Sequence, residues 1–238
     1  MSGRIALVTG ASRGIGRAAA KALAAAGDHV ILIARTVGGL EEVDDEIRAA
    51  GGSATLVPLN LRDFEALDRL GATIFERWGR LDALLGNAAV LGALTPLTHL
   101  EPKLFAELLD VNVTANWRLI RSLDPLLRRS EAGRAVFLSS GAARKHVPFW
   151  GGYAVSKAAL ESLALVYAAE CAETKIKVNV LNPGPVRTGM RAKAMPGEDP
   201  QTLPPSEALA PLIIEMLSEK WEKNGETVNY REWQAAKG

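Results

Sequence analysis

Short, largely apolar runs alternate with amphipathic helical stretches along this chain, and that alternation narrows the possible folds more than any other feature. Arg4–Thr9, Val30–Ala34, Ala54–Leu59, Ala83–Leu85, Ala135–Leu138 and Lys177–Leu181 have strand length and almost no polar face. A strand with one wet side alternates apolar and polar residues, whereas a strand covered on both sides does not. Helical patterns lie between them at Ile15–Ala26, Gly38–Ala50, Phe64–Trp78, Pro102–Arg129 and Gly152–Ala172. Gly51-Gly52 stops the second helix, and Pro125 is expected to bend the fourth. Ser206 is placed to cap a further helix through Leu217, and Glu226–Val228 makes a last strand. The series predicts one doubly wound α/β domain over residues 1–238: a mostly seven-stranded parallel sheet with helices on both faces. Ligands of such sheets bind at the carboxyl ends of the strands. Arg187–Pro205 follows the sixth strand there, carries Pro196, Pro200, Pro204 and Pro205, and reads as a substrate lid.

Bulk properties exclude several function classes. Net charge is +1 with both signs interleaved, which argues against nucleic acid or an anionic membrane as the main partner. Cys171 is the only cysteine, so no intramolecular disulfide is possible, and a small buried thiol is expected. The first strand pattern begins almost at once, with no charged leader before it. No run reaches the roughly 18 apolar residues of a membrane span. A cytoplasmic, soluble protein is the expectation, and no metal site is expected.

Between the first strand and first helix stands Thr9-Gly10-Ala11-Ser12-Arg13-Gly14-Ile15-Gly16. Gly10, Gly14 and Gly16 permit a tight turn and a close backbone approach to a pyrophosphate, with the helix N-terminus supplying amides. An NAD site places a carboxylate roughly 20 residues further on to hold the ribose 2′-hydroxyl. No acid occurs between His29 and Leu40, where Arg35 stands instead. Arg35 and Arg13 offer guanidinium groups suited to a 2′-phosphate, so NADP(H) is expected as cofactor.

Downstream, Tyr153 and Lys157 are four apart on a helical pattern, hence on one face and about 6 Å apart along the axis. A phenol ionises near 10, and a neighbouring ammonium is expected to lower that value. Beside a dinucleotide turn and with Ser140 thirteen residues upstream, the pair suggests proton transfer next to a nicotinamide.

With these residues in place, the chain resembles the short-chain dehydrogenase/reductase family over nearly its whole length, and the resemblance implies a Rossmann-type fold. Thr9-Gly10-x-x-x-Gly14-x-Gly16 matches the family's T-G-x-x-x-G-x-G, and Tyr153-x-x-x-Lys157 its Y-x-x-x-K. Ser140 stands at the spacing of the family's catalytic serine, while Ser139 is one residue out of register. Asn112 matches the asparagine of the long central helix, and Asn182-Pro183-Gly184 the N-P-G after the sixth strand. The resemblance implies Tyr153 as general acid or base, Lys157 lowering its pKa and holding the nicotinamide ribose, Ser140 polarising a carbonyl, and Asn112 anchoring a water. It implies cofactor contacts from Gly10, Ser12, Arg13, Gly14, Ile15, Gly16, Arg35, Asn60, Leu61, Asn87, Ala88, Tyr153, Lys157, Pro183, Gly184, Val186 and Thr188. Three places depart from the family pattern: Ala89 stands in N-N-A-G for its glycine, Asn60 for a common aspartate, and Thr227-Val228-Asn229-Tyr230-Arg231 for V-D-G-G. The last argues against a C-terminal tetramer contact. A homodimer through helices around Leu104–Leu127 and Ala158–Ala172, or a homotetramer, is expected.

Between serine and tyrosine, Arg144-Lys145-His146-Val147-Pro148-Phe149-Trp150 should form one pocket wall. Phe149 and Trp150 suit an apolar substrate or simple packing; Arg144, Lys145 and His146 suit an anion or a solvated loop. Met190, Arg191 and Met195 would add adaptable contacts from the lid. A subgroup of bacterial short-chain oxidoreductases is similar over Met190–Pro200, without supplying a reaction. The expected activity is reduction of a small-molecule carbonyl to an alcohol with NADPH, or its reverse. The alternative is a non-catalytic NADP(H)-binding sensor or scaffold.

Overall fold

Each central strand is covered on both sides, and its side chains alternate between two cores. Along β1 (Ile5–Thr9), Ile5 and Leu7 enter one core while Ala6 and Val8 enter the other, the period-two consequence of a pleated strand. The structure is a computed structural model that describes residues 3–237. The other strands are β2 (His29–Ala34), β3 (Ser53–Pro58), β4 (Ala83–Gly86), β5 (Arg134–Leu138), β6 (Lys177–Asn182) and β7 (Thr227–Asn229). They form one seven-stranded sheet, ordered β3-β2-β1-β4-β5-β6-β7 and parallel throughout. The winding reverses between β1 and β4, which leaves a crevice at their carboxyl ends.

On one face lie α3 (Phe64–Trp78), α5 (Ala115–Leu127) and α6 (Gly151–Glu170), through residues such as Leu67, Leu119 and Leu160. The other face takes α1 (Gly14–Ala25), α2 (Val37–Ala49) and α8 (Ala210–Leu217), through Leu23, Leu40 and Leu212. Burying each such aliphatic side chain stabilises the fold by about 1.5–3 kcal/mol before chain entropy is counted. Local signals agree with the packing at α3. Asp63 Oδ1 accepts from Ala66 N–H at its start, and Gly79 closes it with φ 72°, a left-handed cap that glycine adopts without strain. Cys171 is a buried free thiol.

The structure corrects two expectations and adds detail to two further segments. The Pro102–Arg129 helix is interrupted upstream of Pro125. It comprises α4 (Pro102–Leu109), a π-turn at Asp110–Thr114, and α5, which runs past Pro125. Pro125 lies in the last turn of α5, which runs on to Leu127, whereas Asn112 falls in the π-turn. Ser206 caps no helix: its hydroxyl donates to Arg187 O at 3.2 Å, and a 3-10 turn precedes α8. The Arg187–Pro205 segment is folded, containing α7 (Gly189–Ala194) and a 3-10 turn at Pro200–Thr202. Arg187 fastens it by donating to Pro200 O and Leu203 O. Finally, the chain after β7 forms α9 (Tyr230–Ala235).

Candidate active site

A cleft of about 1470 Å³ opens at the carboxyl ends of the strands, and the glycine turn forms one end of it. Thr9 ends β1 and ties it to the chain leaving β4. Its Oγ1 accepts from Asn87 N–H and Ala88 N–H, both at 3.0 Å, while Asn87 Nδ2 donates to Thr9 O at 2.8 Å. That grip leaves no room beyond a backbone at Gly10, which has φ 68° and where a Cβ would sit 2.8 Å from Asn87 Nδ2. At Gly16 a Cβ would run into the Gly10 carbonyl, so the third glycine lets α1 approach the turn but does not itself line the cleft. Gly14, φ 55°, is the first residue of α1 and faces the Thr188 methyl across the cleft. Ala89 takes an ordinary backbone conformation: among the described residues, Phe149 is the one non-glycine with positive φ.

Ser12, Arg13, Ile15, Arg35, Asn60 and Leu61 line the same end. Arg13 and Arg35 are exposed, and neither makes an ion pair among the described residues. The opposite wall brings Pro183, Gly184, Val186 and Thr188 into the cleft. Asn182 Oδ1 accepts from Gly184 N–H and its Nδ2 donates to Asn229 Oδ1, which draws α9 to the site. Tyr230, Arg231 and Glu232 consequently line the cleft, a contribution whose only sequence signal was the departure from V-D-G-G.

Ser140, Tyr153 and Lys157 meet midway along the cleft. Ser140 follows β5 by two residues and caps the 3-10 turn Gly141–Ala143: its Oγ accepts from Ala142 N–H at 3.2 Å, which leaves the hydroxyl beside Tyr153. Lys157 Nζ donates to Leu138 O at 2.7 Å and lies 5.8 Å from the Tyr153 ring centre. Burial pushes the Tyr153 phenol up to about 12, and a hydrogen bond with Ser140 pulls it partly back. The expectation that Lys157 lowers this phenol is therefore not met in this arrangement. Burial also takes Lys157 down to about 8, with Glu161 opposing it. Desolvation dominates both groups because each is nearly sealed from water.

Asn112 is wholly buried and does not line the cleft. Its Nδ2 donates to Val90 O and to Ser156 Oγ, each at 2.9 Å, and its Oδ1 accepts from Val90 N–H at 2.8 Å. Ser156 in turn donates to Tyr153 O at 2.8 Å. The π-turn thus braces the first turn of α6, where the tyrosine stands. Both amide protons are spent, so the side chain has none left to donate to a water.

The wall between serine and tyrosine divides. Lys145, Val147 and Trp150 line the cleft, whereas Arg144, His146 and Phe149 do not. Arg144 is turned to Glu161 and Thr227, and Phe149 stands 57% exposed at a strained φ of 74°. Met190, Arg191 and Met195 line it from α7 and beyond, with the Arg191 guanidinium held bidentately by Glu198. Among the described residues no group of acids, histidines and cysteines could hold a metal ion, and no helix is long and apolar enough to cross a membrane.

A family model for short chain dehydrogenases matches residues 4–199. This chain belongs to the short-chain dehydrogenase family. This dehydrogenase is 38% identical over 222 residues to the uncharacterized oxidoreductase YciK of Escherichia coli K12, covering 92% of this chain and 88% of that protein. A short chain dehydrogenase structure from Escherichia coli CFT073, complexed with NADPH, matches it with a TM-score of 0.91 at 38% identity, covering 97% of this chain and 98% of that one. One from Shigella flexneri, complexed with NADP, matches with a TM-score of 0.92 at 37% identity, covering 97% and 98%. As a family member the chain is an oxidoreductase.

Proposed function

We propose that this short-chain dehydrogenase reduces a carbonyl to an alcohol with NADPH, with Tyr153 as proton donor. One observation carries the reading: a buried phenol, beside a serine hydroxyl, faces the same cleft as the glycine turn at the start of α1. The residues present fit the cofactor. Gly10, Ser12, Gly14 and Ile15 with the α1 N-terminus would hold the pyrophosphate, and Gly16 would keep that helix close. Arg13 and Arg35 would take the 2′-phosphate, as the NADP and NADPH bound to the two structural neighbours support. Asn60 and Leu61 would flank the adenine, Asn87 and Ala88 the adjoining ribose, and Pro183, Gly184, Val186 and Thr188 the nicotinamide. Bound NADPH supplies the hydride.

The protein's own groups supply the rest. Ser140 orients and polarises the carbonyl oxygen, and Tyr153 transfers its proton to that oxygen as charge develops there. Lys157 spends one ammonium proton on Leu138 O and would offer another to a ribose hydroxyl. Asn112 acts as a brace for the Tyr153 turn. The Tyr153 phenol, held near 12, carries its proton at neutral pH and has it to give to a carbonyl oxygen. Leu91, Leu94, Leu104, Leu108, Val147 and Trp150 line the substrate end, which favours an apolar carbonyl compound, with Arg187–Pro205 closing over it. Exposed Trp117 on α5 and Val155 and Val166 on α6 support a homodimer through these helices.

The test is NADPH consumption against aliphatic and aromatic ketones and aldehydes, run with NADH in parallel. Turnover of at least one apolar carbonyl, lost in Tyr153→Phe, is the expected result. Binding of NADPH without turnover of any carbonyl would leave the protein a sensor or scaffold.

A further inference from the structure

Three side chains at four-residue intervals on α6 reach three consecutive residues at the end of β5. Tyr153 meets Ser140, Lys157 donates to Leu138 O, and Glu161 Oε1 accepts from Ser139 Oγ at 2.6 Å. The other carboxyl oxygen of Glu161 accepts from Arg144 Nε at 3.1 Å. Glu161 therefore grips the chain on both sides of Ser140: the residue immediately before it and the one that ends the following turn. Arg144 Nη2 carries the connection on to Thr227 Oγ1 at 3.0 Å, at the start of β7. Glu161 is 8% exposed and Ser139 3%, so neither partner is readily replaced by water. A carboxyl group is costly in such a place unless its bonds do something that an apolar residue would not.

We propose that Glu161 is a positioning residue for the reaction, holding Ser140 against Tyr153 through Ser139 and Arg144 and supporting the charge of Lys157 one helical turn away. The inference rests on the carbonyl-reductase reading for its kinetic consequence, but not for its electrostatic one. Ser139 and Arg144 acquire a purpose: both are the handles by which Glu161 sets the serine. The charged group acting on Lys157 is Glu161 itself. Tyr153 on the same helix brings a neutral phenol, β5 brings the Leu138 carbonyl, and Arg144 faces Glu161 from the turn after β5. The direction agrees with burial, which drives Lys157 down to about 8 against the pull of Glu161.

Two variants separate the two actions. Glu161→Gln removes the charge and one of the two carboxylate acceptors, while Ser139→Ala removes one handle and keeps the charge. NMR titration of Lys157 in the cofactor-free protein, assigned with Lys157→Arg, reads the charge alone. In Glu161→Gln its midpoint is expected to fall by about one pH unit, and in Ser139→Ala to stay in place. Where a carbonyl substrate is turned over, both variants lower kcat about tenfold or more with NADPH affinity kept, and Glu161→Asp recovers part of the loss. An unmoved Lys157 midpoint in folded Glu161→Gln, or unchanged kcat in both variants, overturns the proposal. Should Glu161→Gln not fold, Glu161→Asp and Ser139→Ala decide: neither changing kcat nor the Lys157 midpoint overturns it equally. A wild-type protein that turns over no carbonyl, yet shows the shifted midpoint, sinks the reductase reading and leaves the electrostatic role standing.

Discussion

Trp150 stands edge-on to Tyr153, with ring centres 6.1 Å apart and planes at 65°. Both rings line the cleft, and burial is what lifts the phenol to about 12. Replacing Trp150 with Ala should admit water and return the phenol toward its ordinary value near 10. A phenolate absorbance titration, with Tyr153→Phe subtracted, reads the shift directly. A midpoint that stays where it was would mean that other neighbours seal the ring.

Lys157 makes stability depend on pH in a defined direction. Its folded-state value is about 8 against an unfolded 10.5, so between those limits the unfolded chain binds the extra proton. Stability therefore rises with pH through that window, and the cost of the buried ammonium is fully present below pH 8. Relative to Lys157→Met, the wild type should gain up to about 1.4 kcal/mol per pH unit from pH 8 toward 10.5. Urea unfolding of both proteins across this range measures the difference. A flat or falling difference would contradict the assignment.

Cofactor choice should respond to one guanidinium. Arg35 lines the cleft without an ion pair among the described residues, so its charge is available to a 2′-phosphate. Arg35→Asp should weaken NADPH by about 10–100-fold, the worth of a charge-assisted bond, and improve NADH relative to it. Binding isotherms for both dinucleotides at fixed salt decide the matter. Equal losses for the two would show that Arg35 does not read the phosphate.

Gly71 is where α3 lies hard against α5: its N–H donates to Ser122 Oγ at 2.9 Å, and an added Cβ would run into the Ser122 carbonyl. Gly71→Ala should cost about 1–3 kcal/mol through forced separation of the helices, despite alanine's better helix propensity. A melting temperature lowered by several degrees checks this. An increase would mean that the helices part at no cost.

The homodimer is tested at α6. Val166 is 55% exposed in the C-terminal half of that helix. Val166→Glu should convert a dimer to monomers in sedimentation while leaving the fold intact by circular dichroism. A wild type that sediments as a monomer at micromolar concentration removes the proposal.

The glycine turn, the strand series and the Tyr153–Lys157 spacing were legible because each is a local rule written in adjacent residues. Gly10 needs positive φ and a close neighbour, and both needs show as a glycine after a strand. The absence of an acid beside Arg35 is equally local. Asn112 was visible as a motif residue, yet not as a brace, because its partners Val90 and Ser156 are distant in sequence. Arg144 and Phe149 were assigned to a pocket wall from their place between serine and tyrosine, but which way each faces follows from contacts with Glu161, Thr227 and Thr95. The π-turn was hidden behind Pro125, the stronger local signal for a break.

The sequence by itself determined the doubly wound sheet and the meeting of a nucleotide turn with a serine, a tyrosine and a lysine. Hydrophobic periodicity and glycine's conformational range act over neighbouring residues and can be read from them. Only the tertiary structure decided how the tyrosine and lysine are charged, since that depends on how completely other segments exclude water from them. It also decided that Glu161 closes around Ser139 and Arg144. Burial and long-range pairing are properties of the packed chain, set where α6 comes down on β5.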